Sequence, residues 1–363
     1  METSFKRHFE DLPDPRMESK CHHKLLDIVM LAICATIAQA ETWQEIETFG
    51  KIREDWLKQW LELPNGIPSH DTIERVFRKL DAQELESRFV AWANEIFQKT
   101  PGQVVAIDGK SLRGNRGKLH LVSAWASASG ISLGQYKVDQ KSNEIPAIPE
   151  LLDMLVLKDN IVTLDAMGCQ KDIAQAIVDQ QADYVFTVKG NQGKLRHHIE
   201  ERFAFAEDER FRHRRHIHYA ETLDHAHGRI EKRQCWVLSD DQIAQQGWTN
   251  AQTLVRITCH RTLKNKDEQK TRYFISSLPV NAALLLGCVR AHWAIENSFH
   301  WVLDVIFRED ANQTQHINGA VNLAILRRIA LNLIKRHPSK GSLKGKRYRA
   351  ALDANFLLEV LRN

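Results

Sequence analysis

Three acidic residues occupy positions that metal-dependent chemistry would require. Asp108 follows the apolar run at 104–107, and Asp165 follows a second apolar run at 161–164. Each run has the length and composition of a strand buried on both faces, and packing around such a strand would hold the carboxylate at its end in a fixed position. A single apolar strand that ends in aspartate is common and usually structural. Two of them, together with a third carboxylate at Glu296, favour a functional site.

Glu296 belongs to a stretch with helical spacing. His292, Glu296, His300 and Asp304 lie four residues apart, so a helix would place them on one stripe. The simplest interpretation is a solvated stripe. Surface stripes usually carry lysine and glutamate, however, whereas this one combines two histidines with two acids.

Two aspartates and a glutamate suit hard divalent cations, which take oxygen ligands. Two such ions held about 3.5–4 Å apart can activate a nucleophile and stabilise the leaving oxygen in phosphodiester chemistry. The predicted cofactor is therefore Mg²⁺ or Mn²⁺, with two ions in the site. Asp108, Asp165 and Glu296 are far apart in the chain, so only folding could bring them together.

The elements that must position these residues begin with a helical region. We expect helices at 24–40, 42–61, 72–80 and from there to residue 98, the third of them capped by polar residues at 69–72. A short helix, a turn and a second helix are typical of a DNA-reading helix-turn-helix. A plain helical bundle has the same pattern, and both interpretations stay open. We assign residues 1–100 to a helical N-terminal domain that is a candidate for DNA binding.

From residue 103 the pattern changes to strands and helices in alternation. Strands are expected at 104–108, 119–128, 131–138, 161–165 and 184–188, and helices at 143–155, 169–180 and 192–205. A turn at Ser129 and Gly130 suits a hairpin between the second and third strands. Strands alternating with helices predict a partly parallel sheet, which the hairpin makes mixed. The predicted fold class is α/β, with a ribonuclease-H-like mixed sheet covered by helices.

Later changes in pattern suggest the domain boundaries. Residues 101–206 would form the first part of the ribonuclease-H-like core. Four strand-like segments predict a β-rich insertion at 207–280. Residues 281–336 are helical, would complete the core and carry Glu296, and residues 337–363 would form a basic C-terminal tail.

The positive charge of the chain is concentrated in two segments. The chain has 363 residues and a net charge of only +4, so the total charge does not indicate a polyanionic partner. Nine Lys or Arg and no acidic residue lie at 327–349, however, and a second basic run lies at 210–218. Such runs either form solvated faces or concentrate affinity for phosphate.

Several other kinds of site are disfavoured. The six cysteines are scattered without a Cys-x-x-Cys pair, which argues against structural zinc and against a disulfide framework. The amino terminus lacks a signal-peptide core, and the apolar run at 25–40 is short and interrupted by Asp27, which favours a buried helix over a membrane span. We expect a cytoplasmic protein that does not bind a membrane.

Five motifs together resemble those of one protein family. They are AIDGKSLRG (106–114), TLDAMGCQKDIA (163–174), DYVFTVKGNQ (183–192), HGRIEKR (227–233) and HWAIENSFHWVLDVIFRED (292–310). In this order they resemble the DDE transposases of bacterial insertion sequences, specifically the H-repeat-associated group linked to Rhs elements. The resemblance covers essentially the whole chain.

The resemblance implies an activity, a site and partners. The activity would be metal-dependent cleavage and strand transfer at the ends of the element that encodes the protein. By motif position, Asp108, Asp165 and Glu296 would be the catalytic metal-binding triad. The partners would be double-stranded DNA, as terminal inverted repeats and as target, and a second copy of the chain, because two ends must be cut in concert.

One motif departs from the wider pattern. Many related transposases place Tyr, Arg and Lys seven before, four before and seven after the glutamate, where this chain has Val289, His292 and Leu303. Contacts to the element end therefore cannot be carried over. The candidate DNA contacts, for each of which an ordinary surface role is the alternative, are Lys110, Arg113, Lys189, Asn191, Arg290, His292 and His300.

Two other functions remain as alternatives. The chain could be a catalytically inactive relic that binds element ends or represses transcription, although all three carboxylates are present, which argues against decay. It could also be a ribonuclease-H-like nuclease that serves repair or recombination without strand transfer.

Overall fold

The computed structural model describes residues 4–17, 19, 21–97, 101–115, 119–138, 144–208, 217–226, 229–263 and 266–363. The basic run at 210–218 therefore lies outside the described residues, apart from its last two members. The first two residues of the HGRIEKR motif, 227 and 228, also lie outside them.

Nine strands form one mixed sheet in the described part of the chain. They are β1 Val104–Leu112, β2 Leu119–Ala126, β3 Ile131–Val138, β4 Ile161–Leu164, β5 Asp183–Val188, β6 Ile217–Ala226, β7 Arg229–Ser239, β8 Thr253–Leu263 and β9 Lys266–Ser276. Their order across the sheet is β3-β2-β1-β4-β5-β9-β8-β7-β6. β4 is parallel to both β1 and β5, and the other neighbouring pairs are antiparallel. The expected α/β class with a mixed sheet is confirmed.

The helices are α1 Ser4–Arg7, α2 Leu25–Ile37, α3 Trp43–Ile52, α4 Glu54–Leu57, α5 His70–Lys79, α6 Ala82–Ile96, α7 Ala147–Met154, α8 Lys171–Asp179, α9 Gly193–Asp208, α10 Gln242–Gln245, α11 Ala282–Ile295, α12 Trp301–Val305, α13 Ile317–Arg336, α14 Leu343–Leu352 and α15 Ala354–Arg362. Polar caps begin several of them. The Ser69 side chain accepts from the backbone N–H of Thr72, and Asn281 does the same for Leu284. Such caps satisfy donors that the first helical turn leaves unpaired.

The strands expected as an insertion extend the main sheet. β9 pairs with β5, so β6–β9 continue the sheet beyond the edge that β5 would otherwise form. The hydrogen bonds between β5 and β9 satisfy backbone groups of β5 that an exposed edge would leave unpaired. The sequence predicted the strand character of this region and carried no signal for the edge that it joins.

Helix α13 lies at the centre of the helical layer. It is long and apolar enough to cross a membrane, the one such helix among the described residues, but 89% of its apolar window is buried inside the protein. It packs against α2, α5 and α6 and against β3. The helices of the N-terminal region thus share one hydrophobic core with α13. The pair α5 and α6 belongs to this bundle, and α6 also packs on β3.

The segment expected as a basic tail contains the helices α14 and α15. Phe356, Leu357 and Val360 of α15 are buried in the core that contains α13. Ser342 and Asp353 cap these two helices. The lysines and arginines of this segment led to the prediction of a basic tail. The apolar spacing of 356, 357 and 360 is the pattern that indicates a helix.

Candidate active site

Asp108 and Asp165 lie side by side at two neighbouring strands in the interior of the sheet. β1 and β4 run parallel with Ile107 opposite Leu164. The residue that follows each of these two is an aspartate, Asp108 after Ile107 and Asp165 after Leu164. Neighbouring strands are about 4.8 Å apart. Because side chains alternate between the two faces, Asp108 shares a face with Ala106 and Asp165 shares it with Thr163. Helix α11 packs over β1 and β4.

A tight turn fixes the Asp165 carboxylate. Its Oδ1 accepts hydrogen bonds from the backbone N–H groups of Met167, at 2.9 Å, and Gly168, at 3.3 Å. Aspartate commonly bonds backbone groups two or three residues ahead in this way. Next to it, the Asn191 side chain donates to the carbonyl of Ala166 at 2.6 Å, which ties the loop after β5 to the loop after β4.

His292 is buried within electrostatic range of the three predicted carboxylates. It is 8% exposed, and its Nδ1 is 3.0 Å from Oγ1 of Thr163. Burial lowers the pKa of His292, and the charges of Asp108, Asp165 and Glu296 act against that shift. All three carboxylates are therefore close enough to influence one imidazole, which is neutral near pH 7.

Glu296 begins a π-helical segment between α11 and α12. The segment is Glu296–His300, and such wider turns within a long helix occur frequently at functional sites. Glu296 is exposed, whereas Phe299 and His300 are buried. The expected stripe is consequently divided, with His292 and His300 facing inward and Glu296 facing solvent.

His300 supports the first aspartate. Its Nε2 is 3.2 Å from Oδ2 of Asp108, and it is 8% exposed. The adjacent Phe299 stacks on Trp125 of β2 with ring centroids 4.8 Å apart. This stacking and the imidazole–carboxylate contact hold the π-helical segment against the sheet.

The carboxylates of Asp108, Asp165 and Glu296 have the oxygen donors that a hard divalent cation requires. Their side chains are not arranged as a set of metal ligands. Within the described residues, no group of three or more His, Cys, Asp and Glu side chains is placed to hold a metal ion. Asp108 and Asp165 are adjacent through their strands, and Glu296 is the exposed third member.

The predicted DNA contacts lie in two different settings. Arg113 is exposed, with its guanidinium 3.7 Å from the Asp310 carboxylate, and Lys189 is also exposed. The Lys110 ammonium, in contrast, lies inside an ion network with Asp304 and with Glu309, 3.2 Å away.

The remaining cationic candidate is also engaged within the protein. Arg290 Nη2 donates to Oδ2 of Asp224 at 2.9 Å, which links α11 to β6. The long basic run at 327–349 does not form one surface either, because Arg327, Arg328 and Arg347 are each at most 2% exposed.

Sequence reasoning missed four residues beside the site. Thr163 contacts His292, and Lys335 lies 4.1 Å above the Trp125 ring with Nζ 3.3 Å from the carbonyl of Ser298 in the π-helical segment. Glu309 and Arg328 form a fully buried ion pair at 2.8 Å. The sequence signal for this ion pair was the presence of charged residues inside the apolar stretch of α13, since a buried charge needs a partner.

Comparison with known protein families identifies the class. Residues 6–93 match the family described as DDE_Tnp_1-associated, and residues 99–333 match the transposase DDE domain. The second match covers more than half of the chain. The chain belongs to the family of DDE transposases.

Comparison with individual relatives indicates the group of transposases that the chain resembles. It is 39% identical to the "H repeat-associated putative transposase YhhI" of Escherichia coli K12 across 98% of this chain and 96% of that protein. It is 41% identical to the "Putative transposase YncI" of Escherichia coli O157:H7 across 96% and 92%. The expected resemblance to H-repeat-associated transposases is confirmed.

A solved structure resembles the chain more distantly. It is the cryo-EM structure of a piggyBac transposase synaptic complex with hairpin DNA, with a TM-score of 0.44 and 13% identity over 99% of this chain and 81% of that one. Similarity of this size supports no inference about the present chain.

Proposed function

We propose that the protein is a DNA transposase that cuts strands at the ends of its insertion sequence and joins the freed 3′-hydroxyl groups to target DNA, with Mg²⁺ or Mn²⁺ as cofactor. The observation that carries this proposal is the adjacency of Asp108 and Asp165 on parallel strands, with Glu296 on the helix above them. The order 3-2-1-4-5 of the first five strands supports a ribonuclease-H-like core.

Asp108, Asp165 and Glu296 would hold the cations. When bound, a pair of divalent ions activates a nucleophile and stabilises the leaving oxygen. The surrounding residues prepare this donor set. His300 holds one oxygen of Asp108, and the backbone turn after Asp165 holds one oxygen of that carboxylate. A neutral His292 adds no positive charge that would compete with the cations.

The exposed cations beside the site would contact the DNA backbone. Arg113 follows β1, the strand that contains Asp108, and Lys189 follows β5, the neighbour of the strand β4 that precedes Asp165. Phosphate contacts of this kind position a duplex without reading its sequence. For Lys110, Asn191, Arg290, His292 and His300 we propose structural roles, because the side chain of each makes a hydrogen bond within the protein. The Arg113 guanidinium has a longer ion pair, 3.7 Å from the Asp310 carboxylate. We further propose that the protein acts as a homodimer on paired element ends, in the cytoplasm at the nucleoid.

The triad is tested by conservative substitution. Asp108→Asn, Asp165→Asn and Glu296→Gln should each abolish Mg²⁺-dependent nicking of DNA that carries the element ends, because each removes a negative oxygen donor. Binding to those ends, measured by gel shift, should persist. Asp172→Asn, at an exposed carboxylate of α8, is the matched control and should cut normally. If any triad variant cut at the wild-type rate, the assignment would be wrong.

A non-catalytic role is the second candidate. It is favoured by the finding that no group of three or more His, Cys, Asp and Glu side chains among the described residues is placed to hold a metal ion. This role predicts specific binding to element ends and no nicking with either cation. A nuclease without strand transfer would give nicked ends and no joined products when a target plasmid is supplied.

A further inference from the structure

Two contacts of matched spacing join the helix that carries Glu296 to the strand that carries Asp108. Asp108 and Lys110 are two residues apart on β1 and share a face of the sheet. His300 and Asp304 are four residues apart on the helix. The His300 imidazole contacts Asp108 at 3.2 Å, and the Lys110 ammonium contacts the Asp304 carboxylate.

The geometry explains why both contacts can form together. Two residues of a strand advance about 6.6 Å, and four residues of a helix advance about 6.0 Å. The helix and the strand are thus in register over this interval. A shift of the helix by one residue along β1 would break both contacts.

The second contact is anchored from behind by buried charges. Glu309 lies 3.2 Å from Lys110 and 2.8 Å from Arg328, and the side chains of Glu309 and Arg328 are fully buried. Burial alone would raise the pKa of Glu309, but the charges of Arg328, Lys110 and Arg327 lower it to about 2. Glu309 is therefore ionised at any working pH. Through Arg328 the network reaches α13, the central helix of the core.

A network of this kind can serve stability alone, but its position indicates a further role. Replacing a buried ion pair by apolar residues is often neutral or stabilising, so such a pair is weak evidence for stability. Lys110 stands two residues from Asp108, and its partner Asp304 lies eight residues after Glu296 in the continuous helical stretch formed by α11, the π-helical segment and α12. Its ion pairs determine where that helix lies along the strand.

We propose that Lys110, with Asp304 and Glu309, is a positioning device that holds Glu296 in register with Asp108 and Asp165. This inference rests on the proposed function of the site. Lys110 then acts through the helix and not on DNA, although its place beside the catalytic strand makes a phosphate contact the obvious assignment.

Lys110→Met tests the device because it keeps the side-chain stem and removes the ammonium. Cleavage of element ends should fall by about 100-fold, the loss expected when catalytic groups are misplaced by about 1 Å. Binding to the same ends should stay at the wild-type level. A phosphate-contacting lysine would behave in the opposite way, with weaker binding and a smaller salt dependence.

Hydrogen–deuterium exchange supplies a readout that needs neither metal nor DNA. Lys110→Met should accelerate amide exchange at 296–305 and leave β4 and β5 unchanged. The matched control is Asp240→Asn, which removes a carboxylate that is 1% exposed and bound by His198 at 3.0 Å and Arg202 at 2.9 Å, away from the site. The control should leave cleavage and exchange at 296–305 as in the wild type.

The outcomes separate the possibilities. If Lys110→Met cuts normally, or if it loses end binding while exchange at 296–305 is unchanged, the positioning role is wrong. If Lys110→Met does not fold, Glu309→Gln enters the same two assays with the same expected results. If the wild-type protein itself fails to cut, the proposed function fails, and the exchange measurement still decides whether the network holds the helix.

Discussion

Glu86 should make the stability of the protein depend on pH. Its side chain lies on α6, is 5% exposed, and accepts the backbone N–H of Gln135 at 2.7 Å. Burial raises the pKa of Glu86 from 4.5 to about 8, although the hydrogen bond from Gln135 and the charge of Arg328 act in the other direction. At neutral pH the folded protein therefore carries this glutamate in its protonated form.

The sign and size of the effect follow from this difference. Between pH 4.5 and 8 the folded state holds a proton that the unfolded state has released, so the free energy of unfolding falls as the pH rises. Each pKa unit corresponds to about 1.4 kcal/mol. From pH 5.5 to 8 the contribution of Glu86 should drop by about 3 kcal/mol and then level off.

Glu86→Gln isolates this contribution because the carboxamide keeps an oxygen for the Gln135 N–H and does not titrate. Urea unfolding of wild type and variant from pH 5.5 to 9 should show the variant gaining on the wild type by about 3 kcal/mol. Glu84→Gln, on the same helix but with its side chain 45% exposed, should follow the wild type throughout. Parallel curves for Glu86→Gln and wild type would refute the reasoning.

Two further substitutions test the surroundings of the site. His300→Ala removes the imidazole that holds Asp108 and should lower cleavage or metal affinity by about 10–100-fold. The measurement is nicking as a function of Mn²⁺ concentration, and an unchanged titration curve would contradict the supporting role. Arg328→Met leaves Glu309 buried beside fewer positive charges and should cost about 3–5 kcal/mol of stability in urea unfolding. Its control, Arg196→Met at an exposed pair with Glu200, should cost at most about 1 kcal/mol; equal losses in both variants would show that burial of the pair is irrelevant.

The strands that carry the two aspartates were predictable because their signals are local. An apolar run of four residues followed by Asp108 or Asp165 indicates a buried strand and its end, and the Ser129–Gly130 turn indicates the hairpin between β2 and β3. Both strands, the end of β4 and the hairpin are present, but β1 continues beyond Asp108 to Leu112, because residues 109–112 pair with β2. Backbone alternation and turn chemistry act over a few residues, so the sequence around each element was sufficient.

The environment of Glu296 was not predictable in the same way. Even helical spacing placed His292, Glu296 and His300 on one stripe, whereas the structure buries both histidines and exposes the glutamate. The π-helical segment accounts for part of this difference. Its placement depends on Phe299 stacking on Trp125 of β2, a contact between segments that are distant in the chain.

The sequence by itself determined the residue types of the site, the strands that present two of them and the family to which the chain belongs. The tertiary structure alone decided which charges are free. Lys110 meets Asp304 and Glu309 across 194 and 199 residues, and Arg328 is enclosed in the core. Ion pairing and burial depend on which distant segments pack together. Local sequence patterns do not identify those segments, so they do not predict the partners of a charged residue.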